Sequence, residues 1–544
     1  MIKNFNFNDT ETRVGKYIMP QRIIKKSGDI INENALFTYR DRQVQLQERD
    51  VTVMRGKSYI LLDFGCEFHG GAIIVVHKVK GKDSAKMHLR FGESVGEALA
   101  PLGYKGACND HSARDFCVDV KSYSTNQYAM TGYRFLYVAL ENECEVHIKS
   151  IQGHFFYQPY EYVGSFKCSD ARLNKIFDVS AYTCHLCLQN QLWDGIKRDR
   201  LVWIGDMSPE LKTIKYIFGS VPEIASGLRL ASDDACLPKW VNTIPTYSLW
   251  WLINLGEWFE YTGDNALLDE FCEYTVGLTR QIIEHVDDEG NFTKDCFIDW
   301  PTKAAKDESR EATRALIIMC MDACIKMCTY LKEDALVKEC KRVRALAASR
   351  TADGGGFKQL AALILLAGVG DKKSEDVLKS GGAKGFSTFM SYYILSAMAR
   401  VCDIDHVLEC LKEYYGGMLD MGATTFWEDF DIAWLENACR IDEIPCEGKS
   451  DIHGDNGNYC YLGYRHSLCH GWSSGPVPFL IEQVLGIKLV DGCRKIKIEP
   501  SIGSLEYAKG SIATPYGKVS VWHKRLEDGT IHTAIDAPEE IEII

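Results

Sequence analysis

The segment YEYVGSFKCSD, residues 160–170, is where the chain changes its hydrophobic period. Upstream, YILLDFG (59–65), AIIVVHKV (72–79), AKMHLRFGE (85–93) and YRFLYVAL (133–140) are short runs rich in β-branched and aromatic residues, separated by Gly, Asp, Asn or Lys. Regular short strands of this kind predict a β-sandwich or jelly roll over residues 1–162. Downstream, ARLNKIFDVSAYTCHLCLQNQLW (171–193), SLWWLINLGEWFEYTGD (248–264), EATRALIIMCMDACIKMCTYL (311–331) and GFSTFMSYYILSAMARV (385–401) carry apolar residues at helical spacing, bounded by Gly, Asp or Pro.

Roughly ten to twelve such helices are expected out to residue 486. Short connections would set neighbours antiparallel, compatible with helical hairpins closed into a toroid. No repeat in letters supports a solenoid. The tail returns to strands in CRKIKIEP (493–500), AKGSIATPYGKVSVWHKRL (508–526) and TIHTAID (530–536). The fold class is therefore multidomain α and β: a central helical region over 163–488, flanked by an N-terminal sandwich and a small C-terminal β-sandwich over 489–544.

Composition narrows the function. A chain of 544 residues exceeds one core. A net charge of −13 argues against nucleic acid as the main partner, because phosphate binding needs a basic footprint. The segment MIKNFNFNDTETRVGKYIMP has no apolar signal region, and no later stretch approaches a membrane span, so a cytoplasmic protein without a membrane partner is expected. Twenty-one irregularly spaced cysteines read as free thiols rather than a disulfide scaffold. CHLC (184–187) has metal-ligand spacing but no second such pair, and Cys320, Cys324 and Cys328 fall on one apolar helix face, so neither a metal nor a cofactor is expected.

The chemistry concentrates in DGIKRDRLVWIGD (194–206). On one helix Asp194 and Asp199 would stand about 140° apart, and the glycines oppose a helix, so the stretch reads as a loop leaving a helix that ends near Trp193. A salt-bridged surface loop is one reading. Trp203 with Leu201, Val202 and Ile204 favours partial burial, which would drive the carboxylates to different pKa values and leave one as acid and another as base. Two further acid–aromatic pairs follow, Trp427-Glu428 in GATTFWEDFD (422–431) and Asp299-Trp300 in FIDWPTK (297–303). Rings that stack on sugars beside carboxylates that bind hydroxyls suit a carbohydrate site.

These stretches resemble the α-L-rhamnosidases of glycoside hydrolase family 78. The family signature Asp-Cys-Pro-x-Arg-Glu-x-x-Gly-Trp-x-Gly-Asp is matched in spacing from Asp194 to Asp206, with Arg198, Trp203 and Gly205 in register. TGYRF (131–135), GSFKCSD (164–170) and EYTGD (260–264) also resemble family phrases. Gly195-Ile196 stands for Cys-Pro, Val202 for Gly, and Asp199 for the family's Glu.

The resemblance implies an (α/α)6 toroid and an exo-acting, inverting hydrolase releasing terminal α-linked L-rhamnose from an oligosaccharide or rhamnoside. It implies Asp199 as general acid and Glu428, in Thr-Thr-x-Trp-Glu, as general base. It implies Asp194 and Asp206 as hydroxyl-binding groups kept ionised by Arg198, and Asp299 and Trp300 in the sugar pocket. His470 in Ser467-Leu-Cys469-His470 matches a late family histidine, and Trp203 and Trp427 are placed beside the substrate. Two alternatives stay open: the same architecture with another sugar specificity, and a non-catalytic carbohydrate-binding protein, suggested by Asp at the acid.

Overall fold

The computed structural model describes residues 11–459 and 461–544. The first ten residues, half of the segment read for a signal, and Cys460 lie outside them. No helix among the described residues is long and apolar enough to cross a membrane. The fold is a mixed helical and sheet architecture.

The N-terminal region is one seven-stranded sheet built on Thr52–Lys80, which pairs antiparallel with Arg22–Ile31, Ser124–Leu140 and Glu145–Tyr157. The sequence reading separates 59–65 from 72–79 as two strands; the chain instead continues as one 29-residue strand. The reason lies in the glycines between them. Gly65 adopts φ +88°, the register shifts between Asp63 and Phe68 and again between Gly70 and Ala72, and a Cβ on Gly70 would lie 2.0 Å from the His154 carbonyl oxygen. These glycines are bulges at a close backbone crossing, where a turn was expected.

The stretch 160–170 is a seam between elements. Ser165–Cys168 forms an edge strand of the tail sheet, with Lys167 opposite Lys509 and Phe166 opposite Gly510. Asp170 then caps the helix Ala171–Cys187, its carboxylate accepting from the Arg172 and Leu173 amides. The tail sheet runs in the order Ile531–Asp536, Gly517–Arg525, Tyr507–Thr514, Ser165–Cys168, beside a three-stranded sheet of Ile487–Asp491, Lys495–Ile498 and Glu542–Ile543.

Between seam and tail the chain is mainly helical. Pro245–Thr262 begins with proline in its first turn and ends on Gly263 at φ +65°, after which Asp264 caps the next helix. It packs on Lys306–Tyr330, which packs in turn on Asp334–Ala347. The helix expected to reach Trp193 stops at Cys187, where the Leu188 amide closes on the Cys184 and His185 carbonyls. The next helix starts at Ile204, so Asp206 sits in its first turn and the rest of the 194–206 stretch is loop.

One apolar core runs through the helices and the tail sheet from Phe166 to Ile541, and another fills the N-terminal sheet. Between them lies a buried polar seam. The Lys197 ammonium is 2.8 Å from Glu93 Oε2 and 3.4 Å from Glu97 Oε1, and it donates to the Tyr464 and His466 carbonyls at 2.9 and 2.5 Å. Glu93 also accepts from the Leu468 amide at 2.7 Å. Burial pushes the Glu93 carboxyl up against the pull of Lys197. Removing one partner of a buried pair leaves the other charge uncompensated, so Lys197→Met is expected to destabilise by about 3–5 kcal/mol. A fall in the urea midpoint reports it, and adding Glu93→Gln to Lys197→Met should recover part of the loss.

Candidate active site

The loop from Asp194 is closed on itself. The Asp194 amide donates to the Leu201 carbonyl at 3.1 Å, and the Leu201 amide donates to Asp194 Oδ1 at 2.9 Å. Gly195 forms a bridge with His470, and a Cβ there would lie 3.1 Å from the Cys469 carbonyl oxygen, so the close strand-like crossing disfavours a side chain. At the loop tip Asp199 and Arg200 are left-handed, at φ +53° and +57°. Two successive non-glycine residues there are strained and persist because neighbours hold them.

Asp206 reaches the same place from the helix Ile204–Ile217. The Ile204 amide is satisfied by Asn242 Oδ1 at 2.9 Å. A Cβ on Gly205 would lie 2.4 Å from the Tyr247 ring, so glycine admits Tyr247, whose hydroxyl donates to Asp206 Oδ2 at 3.1 Å. Glu428 arrives from the irregular segment after the helix Ile404–Asp420. Its amide donates to the Ser467 carbonyl at 3.0 Å, and its Oε2 accepts from the Ser467 amide at 3.2 Å.

These groups line one cavity of about 220 Å³. Of the residues singled out in the sequence, Asp194, Arg198, Asp199, Trp203, Asp206, Trp300, Glu428 and His470 face it. The Arg198 guanidinium is its centre: Nη1 donates to Asp199 Oδ1 at 2.9 Å and Nη2 pairs with Glu428 Oε1. Burial opposes the Arg198 charge, but Glu428 and then Asp199 outweigh it and hold the guanidinium protonated. This corrects the expected pairing, in which Arg198 keeps Asp194 and Asp206 ionised. Those two carboxyls are pushed well above the usual range, Asp194 by burial and the nearby Asp206 charge, Asp206 by burial against the Tyr247 hydrogen bond. Both shifts favour the protonated form, which can donate as well as accept.

His470 Nε2 stands 3.6 Å from Asp194 Oδ2, 3.9 Å from Asp206 Oδ1 and 3.6 Å from Glu428 Oε1. Burial and the neighbouring Arg198 nevertheless hold its ring well below the usual histidine range, so it is a neutral imidazole packed against Trp472 at 4.2 Å between centroids.

Two singled-out residues stand behind the wall. Trp427 is in the core, edge-on to Phe430, because its irregular backbone turns the indole away from the cavity. Asp299 lies behind Trp300, accepting from the Trp300 amide at 2.7 Å and from the Ser387 hydroxyl at 2.5 Å. Leu201, expected to help bury the loop, is 53 % exposed.

The sequence reading missed Tyr247, Phe297, Lys303, Tyr461 and Trp472, which also line the cavity. Trp472 follows His470 by two positions, but no carboxylate stands beside it to make an acid–aromatic pair; Tyr247 lies in an apolar helix where no local pattern marks it. Outside the cavity, Cys184, Cys187, Cys320, Cys324 and Cys328 are buried free thiols. The ligand atoms of Glu93, Glu97 and His453 lie within 4.8 Å of one another, a metal-like spacing, but the Lys197 ammonium beside both carboxylates supplies the positive charge there.

Burial pushes Asp299 up to about 7. An unfolded aspartate titrates near 3.9, so the native state binds this proton more tightly. The resulting stability is complete below about pH 4 and is lost as pH rises through about 7. Asp299→Asn is therefore expected to reduce the loss of thermal stability between pH 5 and pH 8; an unchanged pH dependence would contradict the burial argument.

Residues 161–350 match the family model described as the bacterial α-L-rhamnosidase six-hairpin glycosidase domain. Among solved structures, a family 78 rhamnosidase from Bacillus sp. GL1 superposes with a TM-score of 0.73 at 21% identity, over 94% of this chain and 55% of that one. A rhamnosidase from Klebsiella oxytoca with rhamnose bound gives 0.66 at 19% identity, over 87% of this chain and 96% of that one. An α-L-rhamnosidase from Streptomyces avermitilis complexed with L-rhamnose gives 0.70 at 15% identity, over 97% and 49%. The chain thus spans about half the length of the Bacillus and Streptomyces enzymes. No curated protein matches it.

Proposed function

We propose, from the match of residues 161–350 to the bacterial α-L-rhamnosidase six-hairpin glycosidase model, that the chain is an exo-acting, inverting glycoside hydrolase releasing terminal α-linked L-rhamnose from an oligosaccharide or rhamnoside. In this reading the helices of 163–488 close into an (α/α)6 toroid between β-sandwiches over 1–162 and 489–544. The packing of Pro245–Thr262 on Lys306–Tyr330, and of that helix on Asp334–Ala347, supports consecutive hairpins.

The observation that carries the chemistry is the single guanidinium of Arg198 interposed between Asp199 and Glu428. Each carboxylate takes a separate nitrogen of that guanidinium; inversion needs such a pair roughly 6.5–9.5 Å apart to leave room for a water, whereas a retaining pair stands near 5–5.5 Å. Asp199 protonates the leaving oxygen, and Glu428, fixed by Ser467, draws the proton from the attacking water. Asp194 and Asp206, buried and pushed toward the protonated form, offer hydrogen-bonding groups to the sugar hydroxyls, with Trp203, Trp300 and His470 along the walls. Asp194, Asp206 and His470 close the floor at 3 %, 4 % and 2 % exposure, which favours a chain end over a chain interior. A non-catalytic sugar-binding protein is the second reading, favoured by an acid one methylene shorter than the family's.

Turnover of an aryl α-L-rhamnoside, within a panel of aryl glycosides, separates the two readings and fixes the sugar. Glu428→Gln is expected to lower kcat by about 10²–10⁴-fold on every substrate, and Asp199→Asn to do so chiefly on poor leaving groups, which need the proton. An NMR time course should show the β-anomer of L-rhamnose first; first appearance of the α-anomer would overturn inversion.

A further inference from the structure

His111 belongs to the N-terminal region, and no motif marks it. Its Nδ1 accepts the Asp199 amide, and the same atom is 3.2 Å from Asp199 Oδ1. Its carbonyl accepts from Arg200 Nη2, while Arg200 Nη1 donates to the Met130 carbonyl at 3.0 Å. The neighbouring Asp110 pairs with Arg465 at 3.0 Å, which ties this loop to the segment leading to His470. His111 itself is left-handed at φ +64°, as are Asp199 and Arg200 at φ +53° and +57°. Three adjoining strained residues from two distant parts of the chain are thus locked together by ring-to-amide and guanidinium-to-carbonyl bonds.

We propose that His111 is a positioning residue for Asp199, resting on the reading of Asp199 as general acid: it holds the acid's amide so that the strained backbone carries the shorter carboxyl to the leaving oxygen. The bond pattern also distinguishes the two carboxyl oxygens. The Asp199 amide occupies the only lone pair of Nδ1, so the ring carries its proton on Nε2 and does not compete for the acid's proton. Arg198 Nη1 donates to Oδ1. Oδ2 is therefore the oxygen left to face the glycosidic oxygen. Glutamate, with one more methylene, reaches without such a clasp; aspartate needs the backbone advanced, and a misplaced catalytic group loses much of its effect.

The test compares His111→Ala with His111→Asn, whose amide oxygen accepts a hydrogen bond from nearly the same position as Nδ1. Kinetics use an α-L-rhamnoside of dinitrophenol, which leaves without protonation, and one of a simple alcohol, which does not. For His111→Ala, kcat on the alcohol glycoside should fall about tenfold or more, kcat on the dinitrophenyl glycoside less than about threefold, and KM on both should stay within about threefold; His111→Asn should restore the alcohol glycoside. Hydrogen–deuterium exchange of residues 194–203 should quicken in the alanine variant and stay native in the asparagine variant. Equal losses on both glycosides, no loss on either, or failure of asparagine to rescue would overturn the proposal. If the unaltered protein cleaves neither glycoside, the reading of Asp199 as acid falls, and exchange alone judges the clasp: unchanged protection in His111→Ala rejects it.

Discussion

Arg198 is the charge on which the site depends. Asp194, Asp199, Asp206, Glu428 and His470 are among the ionisable side chains that face one cavity, and burying several carboxylates together is costly unless a cation or a proton compensates each. The structure uses both solutions. Arg198 pairs with Asp199 and Glu428, while burial pushes the Asp194 and Asp206 carboxyls upward, toward the protonated form. In the proposed reading, acid–base work and hydroxyl binding are divided among four chemically similar groups by which of them the guanidinium reaches.

The residue before it extends the same logic to the rest of the molecule. Lys197 points away from the cavity into the seam with the N-terminal sheet, where it meets Glu93 and Glu97. Glu93 also holds the Leu468 amide, two residues before His470 and one after the Ser467 amide that fixes Glu428. Successive side chains of one loop thus anchor two charged clusters, and the N-terminal sheet is mechanically part of the site through Glu93 and His111. Without the N-terminal region, the Asp199 amide would lose His111, and Leu468, next to the Ser467 that fixes Glu428, would lose Glu93.

Much of this organisation was legible in the residues. The change of period at 160–170 and the helices bounded by Pro245, Gly263 and Asp264 follow from local chemistry that sequence displays directly. The 194–206 stretch and Glu428 were marked by acid beside aromatic and by the family spacing. What stayed hidden depends on contacts between distant parts of the chain. Ser165–Cys168 pairs with residues 508–511 of the tail, and nothing local shows that partner. The role first given to Arg198 paired it with the wrong carboxylates, because several lie within its reach in sequence and only the loop's left-handed tip decides between them. Trp427 looked like a sugar platform, but in an irregular segment the period does not say which way an indole faces.

If Asp199 is the acid, as proposed, the left-handed tip also bears on how an aspartate can stand where the rhamnosidase signature has glutamate. A shorter carboxyl leaves the acid about one carbon–carbon bond, roughly 1.5 Å, nearer its own backbone. Either the substrate must come deeper or the backbone must come forward, and the floor made by Asp194, Asp206 and His470 leaves little depth. Positive φ at Asp199 and Arg200 raises the energy of the loop, and a loop free in solvent would relax out of it. The Met130 carbonyl and the His111 ring and carbonyl, none of them part of the helical region, supply the opposing bonds. Shortening the acid thus shifts the burden of placing it from its own side chain to the N-terminal sheet.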